Sequence, residues 1–390
     1  MTTTPAPAPT PAPAGVSAWV SIDLDAIRDN VAELVRRAGS AQVMAVVKGD
    51  AYGHGLEPAA RAALDGGATW LGVAQLAEAL ALRATGVTAP LLTWLFPPGA
   101  DVGGAIDADV EVTVSSHWTL DAVIAAARER GRPARVQAKV DTGLGRGGIL
   151  TDWSQMVARL ARAQAEGAIE VTGVWSHFAW ADAPQHPTVR AQQARFVEAA
   201  DELERAGVRP ALRHLANSAA TLTNPAAHFD MVRPGLAVYG LSPVPDLGDP
   251  DSFGLREAMR VGARLTLVKR ARAGQGVSYG HEYVTDRDTV LGLVPLGYAD
   301  GIPRAAGGRG PVLVGGRRLP VAGRVCMDQF VVDLGPGFAG AAGDEVVVLG
   351  RTADGEPSAQ DWALAADTIN YEIVTRMGPR LPRLLLRGRG

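Results

Sequence analysis

The sequence has little cysteine, little net charge and no long apolar run, and each shortage excludes a class of protein. Its single cysteine, Cys326, cannot form an internal disulfide, and such usage is typical of a reducing compartment. The net charge is only -3, with both signs spread along the chain, so no nucleic-acid surface or polybasic membrane patch is predicted. No apolar run is long enough to span a bilayer. We therefore expect a cytoplasmic protein that binds neither nucleic acid nor membrane.

The first segment, residues 1–15, is rich in proline and alanine and reads MTTTPAPAPTPAPAG. It lacks both the basic and the apolar region of a secretory signal. Such a composition predicts an extended, disordered tail outside the fold.

Short β-type runs alternate with amphipathic helical segments from residue 41 onward, which is typical of a parallel sheet. Eight such strands within about 200 residues favour a closed (β/α)8 barrel over residues 16–250. A doubly wound open sheet is the alternative, and periodicity does not exclude it. The predicted strands are 45–48, 69–74, 90–94, 110–114, 135–140, 171–176, 212–216 and 229–234.

The pattern changes after the turn-rich segment GLSPVPDLGDPDSFG. Glycine-split β runs follow, and a helical pattern returns only at DWALAADTINYEIVTRM. Residues 251–390 are therefore predicted to form a mostly antiparallel β domain. The early β-type run at 18–24 could join this second domain instead of the barrel.

Function in a barrel of this kind gathers at the carboxyl ends of the strands. No metal site is predicted there. The charged and polar residues at these ends are Lys48, Lys139, Asp141, Arg146, His177, His214, Asn217, Ser218 and Arg233.

Lys48 closes an apolar run and allows two interpretations. It could be a rim lysine that extends toward water and pairs with Asp50. Alternatively, a desolvated lysine has a lowered pKa and can attack an aldehyde, as in a Schiff base with pyridoxal phosphate.

A phosphate site would need backbone N–H donors and hydroxyl groups. Asn217 and Ser218 follow the seventh predicted strand and start a helix, whose free N–H groups attract anions. Gly235, after the eighth strand, lets the backbone approach a ligand closely. The alternative is an ordinary helix cap and turn.

Several segments, taken together and in this order, resemble the alanine racemases, a pyridoxal-phosphate-dependent family. The resemblance implies a cytoplasmic homodimer that interconverts L-alanine and D-alanine by two-base α-proton abstraction and supplies D-alanine for cell-wall peptidoglycan. The segments are VVKGDAYGHG, KVDTGLGRGG, WSHFAWAD, HLANSAA, VRPGLAVYG, VSYGHEY, GYADGIPR, GRVCMDQ and TINYEI.

The resemblance gives two residues catalytic roles. Lys48 would form the Schiff base and act as one base, and Tyr279 of a second subunit would act as the other. Arg233 would face the cofactor's pyridine nitrogen and contact His214. An arginine keeps its own proton, so it cannot give that nitrogen a full one.

The remaining matched residues would bind cofactor and substrate. His177 would pack on the cofactor ring, and Arg146 would hold the phenolic oxygen of the cofactor and the substrate carboxylate. The substrate pocket and its entrance would include Met327, Asp328 and Tyr298. The phosphate site would include Tyr52, Asn217, Ser218, Gly235, Leu236 and Tyr371.

Lys139 matches a lysine that CO2 carbamylates in many members of this family. The carbamate would place a negative charge beside Arg146. The alternative is an unmodified Lys139 paired with Asp141 on the same strand face.

Three other functions stay open at this point. A pyridoxal-phosphate decarboxylase of the same build would use a cysteine segment such as GRVCMDQ, but it would carry an acidic residue at the position of Arg233. A racemase could accept serine or a broader range of amino acids. A non-catalytic cofactor carrier would need neither Tyr279 nor the second domain.

Overall fold

The computed structural model describes residues 14–388, so most of the predicted tail lies outside the described residues. The described chain divides into two compact units. The barrel unit comprises Ile27–Ala51 and Gly55–Leu255. The C-terminal unit comprises 14–26, Tyr52–His54 and 256–388.

Strand β1 (Ala18–Asp23) and helix α1 (Leu24–Ala38) come first in the chain. The barrel strands are β2 Gln42–Val46, β3 Trp70–Gln75, β4 Leu91–Leu95, β5 Glu111–Val114, β6 Ala134–Lys139, β7 Ile169–Trp175, β8 Leu212–His214 and β9 Met231–Val232. The helices among them are α2 Lys48–Gly53, α3 Leu56–Asp65, α4 Leu76–Ala84, α5 Val102–Asp107, α6 His117–Arg130, α7 Trp153–Ala165, α8 Pro187–Arg205 and α9 Ser218–Thr223.

The barrel strands lie in the order β9-β2-β3-β4-β5-β6-β7-β8, and every pair is parallel. Two backbone hydrogen bonds link the ends of this series, from Asp230 N to Arg213 O at 3.0 Å and from Arg233 N to Ala216 O at 2.9 Å. Each strand therefore lies beside its neighbour in the sequence, without the reversal of a doubly wound sheet. The predicted eight-stranded barrel is confirmed, and the open-sheet alternative is wrong.

Local sequence explains why these helices form and where they stop. Ser116 caps α6 by accepting the Thr119 N–H, and Gly131 ends the helix in the left-handed conformation, with φ of 64°. Large apolar side chains from several barrel strands pack together in the interior, namely Met44, Trp70, Leu92, Leu212 and Met231.

The C-terminal unit is mostly antiparallel, as predicted. Its elements are β10 Met259–Arg264, β11 Leu267–Ala271, β12 Gly276–Val277, β13 Tyr283–Val284, β14 Thr289–Val294, β15 Pro311–Val314, β16 Arg317–Pro320, β17 Phe330–Asp333, β18 Glu345–Leu349, α10 Ala359–Ala366, α11 Asn370–Thr375 and β19 Arg383–Leu386. The six-stranded sheet has the order β16-β15-β18-β10-β1-β19, in which β1 pairs antiparallel with β10 and parallel with β19. Two small sheets have the orders β11-β14-β17 and β12-β13.

No helix between residues 14 and 388 is both long enough and apolar enough to cross a membrane.

The first barrel strand ends earlier than predicted. Strand β2 stops at Val46, and Lys48 begins helix α2, so the prediction of a strand over 45–48 is wrong at its end. Val47 still donates to Gly72 O at 2.8 Å, but from Gly49 onward φ becomes positive and the chain leaves the sheet. Val47 is apolar but lies beyond the last paired residue of β2, so the apolar run in the sequence is longer than the strand.

The buried Trp19 gives a test of packing in the C-terminal sheet. Trp19 on β1 pairs with Gly262 on β10, and a Cβ at residue 262 would lie 2.5 Å from the Trp19 ring. We expect Gly262→Ala to lower the free energy of unfolding by about 1–3 kcal/mol because it overpacks the sheet. The measurement is a urea titration. The control is Gly337→Ala, where an added Cβ meets nothing within 4 Å; equal midpoints for the two variants would contradict the prediction.

Candidate active site

Lys48 lies just past the carboxyl end of β2 and is half-buried. Its Nζ is 5.9 Å from the centroid of the Trp94 ring. Burial lowers the pKa of Lys48 and the charge of Arg146 lowers it further, whereas Glu78 raises it. Asp50 does not pair with Lys48; its carboxylate accepts the Leu56 N–H at 2.7 Å. The interpretation of Lys48 as a rim lysine paired with Asp50 is therefore wrong. Its burial and its cationic neighbour give Lys48 the environment of a reactive amine.

The helix that Lys48 begins is left-handed. Its residues from Gly49 to Gly53 all have positive φ, and three of these are not glycine: Asp50, Ala51 and Tyr52, with φ of 52°, 53° and 54°. Each such residue costs roughly 1–2 kcal/mol. Hydrogen bonds offset part of this cost, since Glu78 accepts the Gly49 N–H at 2.6 Å and Val47 O accepts the Ala51 N–H at 2.9 Å. Backbone strain of this kind clusters at functional sites.

Lys139, the last residue of β6, is buried against an aromatic face. Its Nζ lies 4.4 Å from the centroid of the Trp175 ring. Burial, followed by the charges of Arg146 and Arg233, lowers the pKa of Lys139 to about 8. Asp141 is occupied elsewhere, because its carboxylate accepts backbone N–H groups from residues 143–145. Lys139 and Asp141 therefore do not form a direct ion pair in the described part of the chain.

Positive charge accumulates in this part of the barrel unit. The pKa values of Lys48 and Lys139 are each lowered by neighbouring cations as well as by burial. Within residues 14–388, no ion pair forms at any of the four cations Lys48, Lys139, Arg146 and Arg233. Uncompensated cations at this density favour the binding of an anion.

The buried guanidinium of Arg233 is held by neutral groups. Its Nη1 donates to His214 Nδ1 at 3.1 Å, and its Nη2 donates to Ser176 O at 2.7 Å and approaches His177 Nδ1 at 3.4 Å. The guanidinium carbon lies 4.8 Å from the centroid of the Trp175 ring. Burial and then the charge of Arg233 lower the pKa values of His177 and His214, so both imidazoles are neutral. Burial also lowers the pKa of Arg233, to about 9.

The segments after β8 and β9 are joined by one hydroxyl. Ser218 Oγ accepts the N–H of Gly235 at 2.8 Å and that of Ala237 at 3.2 Å. With both acceptor positions used, the Ser218 hydroxyl keeps its own hydrogen for donation to a ligand. Asn217 caps α9 by accepting the Ala220 N–H at 3.1 Å, as the helix-cap interpretation proposed. Leu236 is fully buried beside Gly235.

Two matched tyrosines contact each other in the C-terminal unit. The ring centroids of Tyr52 and Tyr371 are 6.3 Å apart. Burial, followed by the influence of Tyr371, raises the pKa of Tyr52, so its hydroxyl keeps its proton and can act as a hydrogen-bond donor.

The other matched residues of the C-terminal unit lie on its surface. Tyr279 is 71% exposed and Met327 is 54% exposed. Two backbone hydrogen bonds join their neighbourhood to Tyr298: Tyr298 N donates to Cys326 O and Ala299 N donates to Met327 O, both at 3.0 Å. Asp328 pairs with Arg380 at 2.7 Å. The structure thus groups Tyr298, Met327 and Asp328 and leaves the Tyr279 ring largely exposed.

Comparison with known proteins identifies the family. Models of the alanine racemase N-terminal and C-terminal domains match residues 22–243 and 258–385. An alanine racemase from Beutenbergia cavernae is 60% identical over 369 residues, which are 94% of this chain and 97% of that protein. A crystal structure of alanine racemase from D-cycloserine producing Streptomyces lavendulae has a TM-score of 0.95 at 56% identity, covering 96% of this chain and 98% of that chain. The chain belongs to the alanine racemase family.

A more distant alanine racemase structure, from Bacillus anthracis with bound L-Ala-P, still matches at a TM-score of 0.88 and 37% identity, over 97% of both chains. The predicted family and enzyme class, an isomerase, are therefore confirmed. The likeness extends through both units of the alanine racemase fold.

Sequence reasoning missed three polar residues near this site. Glu78 holds the Gly49 N–H, and Glu111 and Gln137 are buried inside the barrel. No motif marks Glu78. Gln137, however, lies two residues before Lys139 on the same face of β6, and strand alternation could have placed it in the barrel interior.

The low pKa of Lys139 predicts a pH-dependent stability. Between pH values of about 8 and 10.5, the folded protein has lost a proton that the unfolded chain retains. Burying the charge of Lys139 therefore lowers the free energy of unfolding by its full amount below pH 8. This loss of stability disappears as the pH rises toward 10.5. In CO2-free buffer, Lys139→Met should raise the free energy of unfolding at pH 7 by at most about 3 kcal/mol, and this gain should vanish near pH 10.5.

Urea titrations at a series of pH values measure this effect. The control is Lys269→Met, because Lys269 is exposed on β11 and should change stability little at any pH. A Lys139→Met variant that is less stable than the original at pH 7, or whose gain does not depend on pH, would contradict the prediction.

Proposed function

We propose that this chain interconverts L-alanine and D-alanine, with pyridoxal 5'-phosphate held at the carboxyl ends of the barrel strands. The observation that carries the proposal is the group of uncompensated cations around a lysine of lowered pKa, in a chain of the alanine racemase family. A phosphorylated cofactor and an amino-acid carboxylate would supply the negative charge that this group lacks.

The residues present suit this cofactor. When bound, pyridoxal phosphate supplies an aldehyde that condenses with amines and a ring that withdraws electrons from the substrate α-carbon. Ser218 would donate its free hydrogen to the phosphate, with Tyr52, Gly235, Leu236 and Tyr371 as further contacts. His177 is neutral and half-buried, so it can pack against a flat ring without adding charge.

Two bases are needed because one group cannot reach both faces of the α-carbon. Lys48 would serve one face, since burial lowers its pKa toward the range where it accepts a proton. Tyr279 of a second copy of the chain would serve the other. Its ring is 71% exposed, and the turn that carries it is anchored where Ser278 Oγ donates to Arg324 O at 2.9 Å. We therefore propose a homodimer with shared active sites.

Arg233 would withhold a proton from the cofactor ring. An arginine donates hydrogen bonds but keeps its proton, and its neutral partners leave its charge undiminished. By leaving the ring nitrogen without a full proton, Arg233 would limit how far negative charge spreads into the ring and would disfavour side reactions such as transamination.

Arg146 would bind the substrate carboxylate through its planar fork. Lys139, with a pKa of about 8, is partly unprotonated near neutral pH and can add CO2, releasing one proton to give a carbamate. That anion would orient Arg146.

Met327, Asp328 and Tyr298 would line the pocket and its entrance, and a small pocket would favour alanine, with serine as a secondary substrate. The enzyme would act in the cytoplasm, and its product, D-alanine, would be used to build cell-wall peptidoglycan.

Replacing Lys48 tests the cofactor assignment. Borohydride reduction of the protein loaded with pyridoxal phosphate should fix the cofactor to the peptide that contains Lys48, as read by mass spectrometry. Lys48→Ala should lose this labelled peptide and lower the racemisation rate at least about a thousandfold, because a nucleophile and a base are removed together. Lys269→Ala is the matched control and should keep both. Label at another lysine with full activity in Lys48→Ala would overturn the proposal.

Replacing Tyr279 tests the two-base scheme. In D2O, Tyr279→Phe should retain the cofactor spectrum but exchange the α-proton of one alanine enantiomer far more slowly than that of the other, because only one face of the α-carbon has lost its base. The measurement is α-proton loss by NMR from each pure enantiomer. Equal slowing for both enantiomers would contradict the assignment.

A further inference from the structure

A line of polar side chains runs through the interior of the barrel unit and ends at Arg233. Arg233 Nη1 lies 3.1 Å from His214 Nδ1, and the other ring nitrogen, His214 Nε2, lies 2.7 Å from Gln137 Oε1. Gln137 Nε2 lies 2.8 Å from Glu111 Oε2. Glu111, Gln137 and His214 are almost completely buried, with 3%, 0% and 0% of their surface exposed.

Donor and acceptor chemistry fixes the direction of every hydrogen bond in this line. The Glu111 carboxylate, which Arg135 pairs with at 3.3 Å, accepts from Gln137 Nε2 and from Thr172 Oγ1. The amide of Gln137 must then turn its oxygen to His214, and this oxygen accepts the hydrogen that His214 Nε2 donates. Arginine only donates, so His214 Nδ1 has to be the unprotonated nitrogen that accepts from Arg233.

We propose that Glu111 and Gln137 are positioning residues that fix His214 in the neutral Nε2–H tautomer and thereby aim the guanidinium of Arg233. The other tautomer would place two N–H groups, from His214 and Arg233, against each other. The carboxylate of Glu111 anchors the line but stays separated from Arg233 by a neutral amide and a neutral imidazole, so the charge of Arg233 is not cancelled.

The backbone is shaped to accommodate this line. The pairing of β6 with β7 shifts register between Val136 and Gln137, which is how an irregular strand re-aims a side chain. Gly173 faces Gln137 across that pair, and a Cβ at residue 173 would lie 2.9 Å from Gln137 Cδ and 3.0 Å from its Oε1. A glycine at 173 is therefore required for the side chain of Gln137 to occupy its position.

The effect on catalysis rests on the proposed function, in which Arg233 faces the cofactor ring. Loss of the line should let the guanidinium adopt other orientations, which weakens its contact with the ring more than it changes the binding of alanine. The tautomer of His214 itself does not depend on any ligand.

Nitrogen NMR on the full-length protein with 15N-labelled histidine tests the tautomer directly. The His214 signals are identified by their loss in His214→Asn. We expect a protonated Nε2 and an unprotonated Nδ1 in the original protein, and both signals to shift in Gln137→Leu and in Gly173→Ala. The matched control is Thr113→Val, which removes a buried hydroxyl that has no hydrogen-bond partner among the described residues. It should leave both signals in place.

A conservative pair at residue 111 separates the hydrogen-bond role from simple packing. Glu111→Gln keeps an acceptor oxygen and should retain the tautomer, whereas Glu111→Leu should lose it. A protonated Nδ1 or an imidazolium in the original protein would overturn the proposal, and so would unchanged His214 signals in both Gln137→Leu and Gly173→Ala.

Racemisation kinetics test the consequence for catalysis. Gln137→Leu should lower kcat about tenfold with KM for alanine little changed, as expected when the outer partner of a histidine is removed. Thr113→Val should keep the original kcat. If the original protein did not racemise alanine at all, the proposed function would fail, while the NMR result would still decide whether the line fixes the tautomer.

Discussion

The burial of the Arg233 guanidinium without a carboxylate is the constraint on which the rest of the site depends. An isolated charge in a low-dielectric interior is costly unless its hydrogens are satisfied. Here the His214 imidazole and the Ser176 carbonyl accept its hydrogens, and the cation also lies over the face of the Trp175 ring. Each of these partners is neutral, so the positive charge is tolerated without being cancelled.

The barrel groups several cations at the carboxyl ends of its strands. A ring of parallel strands brings residues distant in sequence to one rim. There burial, followed by the charges of Arg146 and Arg233, lowers the pKa of Lys139. Burial, followed by the charge of Arg146, lowers the pKa of Lys48. The same crowding makes an anionic ligand favourable, since it relieves the repulsion. The left-handed helix that begins at Lys48 adds backbone strain next to the reactive amine, which the surrounding hydrogen bonds must hold in place.

The sequence predicted the barrel because alternating β and α patterns leave few other arrangements. It also predicted that Lys48, His214 and Arg233 lie at the carboxyl ends of strands, which is where the structure has them. It did not predict the left-handed helix, because non-glycine residues such as Asp50 and Tyr52 rarely adopt positive φ. Nor could it give the hydrogen bonds that the Gly235 and Ala237 N–H groups donate to Ser218 Oγ. The line from Glu111 to His214 depends on the register of β5, β6 and β8 and on the irregularity at Gln137, which no local pattern encodes.

The protonation state of the cofactor nitrogen is the most direct test of this account. The measurement is the 15N NMR shift of pyridoxal phosphate labelled at its ring nitrogen and bound to the full-length protein. A cationic Arg233 predicts a shift typical of an unprotonated pyridine that accepts a hydrogen bond, from neutral pH up to the pKa of about 9 that burial gives Arg233. A shift typical of a pyridinium ion near neutral pH would contradict the account.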